Sequence, residues 1–345
     1  MHRNRIRKVA TGAVALLALA LTLQTGGASS AEVSADALKH PQKAEKAPDA
    51  TAASQSSTPL GAPPADQQAK PENHGQDDKV KKPDSKPNDN EENSNPTSTK
   101  SLTYRGGAVQ STPRVYLVFW GPNWFNGGDP YGVANRLHYL YQGLSQSGWA
   151  NVLKQYGSNY GTFSNPASQY RGWIQDTTPV PSRPTSTDMA NAASRAALRM
   201  GDVSYLAQYV IATPWGVVDQ YSLSAGACAW HSWVYPNGSN WVTYTSMPYT
   251  PYLDSSIYNC GGNSVNGSNG RLDGVTIVAG HEYAESVNDP GLNAWKDSDG
   301  SENADKCAWR NLANRPLANG YTFAMQPTWS NTWRTQYGYG CYYSG

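Results

Sequence analysis

The chain has 345 residues, 15% of them charged, and a net charge of +1. That balance excludes the cationic face by which proteins hold nucleic-acid phosphates, so no nucleic-acid partner is expected. All 12 Trp, all 22 Tyr and all four Cys lie after position 100, which points to one folded unit, 101–345, long enough for a large single core.

In chain order, Arg3, Arg5, Arg7 and Lys8 precede an apolar run over 9–23 and small residues up to Ala31. This is the pattern of a secretory signal peptide, residues 1–31, and the run is short for a membrane span. A secreted, extracellular protein is therefore expected, with no membrane association after signal cleavage. Residues 32–100 contain no aromatic residue and no Cys, and are rich in Lys, Pro, Asp and Gln. Such a stretch buries too little apolar surface to offset its ordering entropy, so it reads as a disordered spacer or propeptide.

Within the folded unit, the apolar and aromatic run at 114–120 predicts a buried strand. Val133, Leu137, Leu140 and Leu144 recur at helical spacing and predict a helix over 132–145. A second helix is predicted over 186–200, with Ser186 and Thr187 as cap candidates and Gly201 at its end. A second buried strand is expected over 205–216. Two further strands are expected on either side of the turn signal Pro236-Asn237-Gly238. The stretch 261–270 reads as a loop. Asp273 could cap a helix from 274 to about 288, although Val275, Thr276, Ile277 and Val278 would also suit a strand. After Pro290 the chain reads as loop-rich. The sum is an α+β domain with a mixed sheet and helices.

Four cysteines in an exported chain suggest two disulfides, and sequence alone allows three pairings. Cys228 with Cys260 and Cys307 with Cys341 is favoured, because it closes the shorter loops.

The chemistry concentrates at His281-Glu282-Tyr283-Ala284-Glu285. On a helix, positions 281 and 285 lie one turn apart on one face, and position 282 points about 100° round. Helix-borne zinc hydrolases use that layout: two ligands one turn apart and a neighbouring carboxylate as general base. Here the second ligand position is a glutamate. The folded unit has only three glutamates, Glu282, Glu285 and Glu302, and Asp289, Asp297, Asp299 and Asp305 share their stretch. A bound cation would account for such a concentration of like charge. Glu302 is the expected third ligand. Asp305 is expected as a partner of the His281 ring N–H, and Asp289 as a rival ligand. His231 is expected either packed among aromatic neighbours or in the site, stabilising a transition state. His138 is expected to be structural. The sequence has no G-x-S-x-G elbow and no glycine-rich phosphate loop.

The blocks YLVFWG (116–121), CAWH (228–231), GHEYAESVNDPGLNAW (280–295) and ENADKCAW (302–309) resemble the exordium, or phosphate-induced, protein family and its bacterial secreted relatives. The resemblance spans roughly residues 103–343. It implies a zincin-like domain with metal positions at His281, Glu285 and Glu302 and the base at Glu282. Ser286 stands where relatives more often carry Ala, and residues 32–100 have no counterpart. The expected function is a secreted metal-dependent hydrolase, a zinc endopeptidase acting on protein or peptide substrates. Zn2+ is the expected ion, with Ca2+ or Mn2+ as alternatives. The other reading is a non-catalytic cell-wall protein that binds polysaccharide through its many aromatic rings.

Overall fold

The computed structural model describes residues 79–81 and 99–344. The expected signal peptide and most of the expected spacer lie outside the described residues. The main elements are β1 (Lys79–Lys81), β2 (Arg114–Trp120), α1 (Val133–Leu144), β3 (Tyr170–Asp176), α2 (Ser186–Met200), β4 (Ala207–Ala212), α3 (Gln220–Ala225), β5 (Ala227–Val234), β6 (Val242–Met247), α4 (Thr250–Ser256), α5 (Asp273–Asn288) and α6 (Asn331–Tyr337). The domain is a mixed sheet with helices, as the sequence leads one to expect.

The main sheet has the order β1-β5-β6-β4-β2-β3. Strands β6, β4, β2 and β3 run parallel to one another, and β5 is antiparallel to β6. Side chains alternate across this sheet. Tyr116, Val118, Trp120, Tyr209, Ile211, Trp230 and Tyr244 pack against the alanine-rich face of α2. The residues between them face the other way, toward α1 and α5, and His231 is one of these. The strand β3 was not anticipated. Its sequence, YRGWIQD, is half-buried throughout and carries neither an apolar run nor a clean alternation. The cap of α2 also differs from expectation. Thr185, one residue earlier than either candidate, accepts from the Asp188 N–H, and Asp188 returns the bond in a capping box.

Helix α5 is buried along all of its 16 residues. A helix enclosed on every side needs small residues where neighbouring chain crosses it. Asp273 does not act as its cap. It is the first helical residue, and its carboxylate accepts from the N–H groups of Val265 and Asn266, tying down the preceding loop. Gly274 has the carbonyl of Cys260 where a Cβ would stand, only 2.1 Å from it. At Gly280 the nearest obstacle is the Met325 methyl at 2.6 Å, the end of a flexible side chain. Alanine is the better helix former by about 1 kcal/mol at either site. Gly274→Ala is nevertheless expected to destabilise by roughly 2 kcal/mol, because backbone must move, while Gly280→Ala stays within about 1 kcal/mol of the parent. Urea denaturation checks this; equal losses at the two sites would reject the argument.

Both expected disulfides form, Cys228–Cys260 and Cys307–Cys341, and no cysteine is free. They close loops of similar length, with sequence separations of 32 and 34. Removing either should cost roughly 4 kcal/mol in the chain-entropy account. Only the second pins the short turn Asp305–Cys307 to the C-terminal strand pair. Cys307→Ala/Cys341→Ala is thus expected to lower retention of a bound ion, and Cys228→Ala/Cys260→Ala to spare it. Denaturation curves and elemental analysis of both variants test the difference. Equal ion loss in the two would show that the turn has no special part.

Candidate metal centre

Helix α5 delivers His281, Glu282 and Glu285, β5 delivers His231, and the turn at 305–307 delivers Asp305. The helical spacing puts His281 Nε2 2.9 Å from Glu285 Oε1. Asp305 Oδ1 lies 3.5 Å from the same His281 nitrogen, and the Asp305 N–H donates to Glu285 Oε1 at 3.0 Å. These three residues form one group whose donor atoms converge closely enough to share an ion. The second group is His231, Glu282 and Glu285. His231 Nδ1 is 3.3 Å from Glu282 Oε2 and 3.7 Å from Glu285 Oε2. Glu285 belongs to both groups, one oxygen to each.

His281, Glu282, Glu285 and His231 are all 0% exposed. Carboxylates taken out of water to that depth need a compensating positive charge. Glu285 Oε2 accepts no hydrogen bond. Burial pushes the Glu285 carboxyl up to about 7, the charge of Asp305 adds to this, and His281 opposes it. For His281, burial works against a charge, but Glu285 and Asp305 outweigh it and hold the imidazole well above its ordinary value. A proton held between them thus stands where a cation can stand. One imidazole and two carboxylates, with an oxygen still lacking a donor, suit a divalent cation, and this buried cluster could hold one.

The partner of the other His281 nitrogen is Gln326, whose Oε1 lies 3.3 Å from Nδ1. With the ring proton on Nδ1, the lone pair on Nε2 faces Glu285 and Asp305, as a ligand requires. Gln326 is itself held by donating to the Ala304 carbonyl. Sequence reading did not single it out, since a lone glutamine 45 positions downstream of His281 gives no pattern. Asp305, expected as a partner of the His281 ring N–H, meets the ring at Nε2. Glu302, expected as the third ligand, stands outside both three-donor groups. Its Oε1 is 3.8 Å from His231 Nε2 and its Oε2 3.9 Å from Lys296 Nζ. Asp289 pairs with the same lysine at 3.8 Å and offers its carbonyl to His231 Nε2. Asp297 forms a buried ion pair with Lys306 at 2.6 Å, one turn residue beyond Asp305. His138 bonds Tyr170 at 2.9 Å, away from the cluster.

An open cleft of about 570 Å³ lies elsewhere, around Arg136, Arg271 and Asp273 at the start of α5. Eight residues, roughly 12 Å of helix, separate Asp273 from His281. Seven of the 12 tryptophans are buried, and Trp173, Trp215, Trp295, Trp309 and Trp333 are half-buried. Among the described residues no helix is long and apolar enough to cross a membrane. No family model matches the chain, and neither a curated protein nor a solved structure matches it.

Proposed function

We propose that the protein is a secreted metal-dependent hydrolase, a zinc endopeptidase. The observation that supports it is the pair of three-donor groups sharing Glu285, with Glu282 beside them on the same helix. His281, Glu285 and Asp305 would hold the ion; Glu282 lies on the same helix and His231 on the strand facing it. Once bound, the ion supplies Lewis acidity toward a peptide carbonyl and toward water. Glu282 accepts a proton as water adds to the carbonyl carbon, and returns it to the departing amine nitrogen as the C–N bond breaks. His231, 3.3 Å from Glu282 and held through its other nitrogen by the Asp289 carbonyl, fixes that carboxylate. The resemblance to the exordium family and its bacterial relatives implies the same His281, Glu285 and Glu282, with Glu302 in place of Asp305 as the third ligand. The two disulfides and the signal-like N-terminus support an extracellular site of action.

Elemental analysis of the purified chain, before and after limited proteolysis ahead of residue 99, tests this reading together with a digest of unfolded casein. About one zinc per chain is expected, with cleavage that a chelator stops and added Zn2+ restores. A chain free of metal, or cleavage indifferent to the chelator, would reject it.

A further inference from the structure

A sheet edge presents a row of unpaired N–H and C=O groups that will accept another strand. In this domain the edge next to the metal centre is β5, the strand that carries His231. That edge is occupied. Strand β1 lies antiparallel along it, with Lys79 opposite Trp230, Val80 opposite Ala229 and Lys81 opposite Ala227, and an irregularity after Val80. It also runs alongside α5, the helix carrying His281, Glu282 and Glu285. Residues 79–81 thus contact both elements that build the site.

Backbone pairing with an extended chain is indifferent to most side chains, so the same edge would take other extended peptides.

We infer that the outer edge of β5 is a docking surface for an extended peptide strand, and that this chain fills it with its own residues 79–81. The full-length chain is then the covered form, and a cut between residues 82 and 98 releases the strand. What the cover regulates rests on the hydrolase reading; the docking surface itself does not.

The test uses the full-length chain with a site-specific protease sequence inserted at residues 88–94. Hydrogen exchange is followed at the backbone amides from Ala227 to Trp230 before and after the cut. Cutting is expected to speed exchange there by about tenfold or more, and a synthetic peptide of residues 75–85 to slow it again. Val80→Pro in the uncut chain removes a backbone donor and should reproduce the effect of the cut. Exchange that neither the cut nor Val80→Pro alters would overturn the proposal. Casein digestion is measured on the same samples. An edge that opens without any hydrolysis counts against the endopeptidase reading and leaves the docking surface standing.

Discussion

Glu282→Gln is expected to keep its ion and lose hydrolysis by about 10²–10⁴-fold, the usual worth of a positioned general base. The amide has nearly the size and shape of the carboxylate, so the fully buried pocket between α5 and β5 should close around it unchanged. What disappears is the capacity to take a proton. The contact with His231, 3.3 Å from Glu282 Oε2, can be kept as a neutral hydrogen bond. The same variant decides between the two donor groups. If the ion sits with His281, Glu285 and Asp305, Glu282 is not a ligand and zinc content stays at the parent level. Loss of zinc would move the ion to His231, Glu282 and Glu285, and leave the base to be sought elsewhere. Full activity in a zinc-loaded Glu282→Gln would remove the base assignment altogether.

How much of this could be read in the sequence depends on how local each signal is. Strand β2 matched its predicted bounds, and α5 its predicted end, because each is a continuous run with its own punctuation. That His281, Glu282 and Glu285 would come together in one buried cluster was legible for the same reason, since their spacing puts 281 and 285 on one helix face. His231 could be placed on one strand face, but its partner could not, since nothing local says which helix covers that face. Asp305 and Glu302 show the limit more sharply. They lie three residues apart in one acidic stretch, and which of them reaches His281 depends on the turn at 305–307. That turn is set by Cys307–Cys341 and by the Asp305 N–H bond to Glu285, both long-range. Strand β3, with no pattern of its own, exists because β2 offers it a parallel partner.

The cluster is also an energetic statement. Two carboxylates and two imidazoles at 0% exposure, with half-buried Asp305 beside them, are a poor way to build a core, because each buried charge must be balanced. Lys306 balances Asp297, and Lys296 stands between Asp289 and Glu302. At His281 and Glu285 the balance depends on a shared proton, which a divalent ion displaces on binding. Local rules are broken here and obeyed around it, which is where a functional site is expected.

Glu285→Ala should therefore abolish ion binding. It removes the residue common to both donor groups and leaves His281 facing Asp305 across a gap. Zinc content after dialysis is expected to fall at least tenfold, with circular dichroism unchanged because the alanine loses a buried charge rather than a packed core. Glu285→His should retain zinc, since imidazole also reaches one turn along the helix, and should exchange one carboxylate for a neutral donor. One negative charge fewer at the ion makes it the stronger Lewis acid, so the pH at which hydrolysis switches on should fall. In the parent, ion affinity should rise with pH, because the proton shared by His281 and Glu285 must leave before either can bind. In Glu285→His the rise should follow an imidazole titration and lose its dependence on the carboxylate. Mass spectrometry of metal content across pH for the three proteins separates these cases. Equal zinc in the parent and in Glu285→Ala would take Glu285 out of the site and reduce the motif to a polar face of a buried helix.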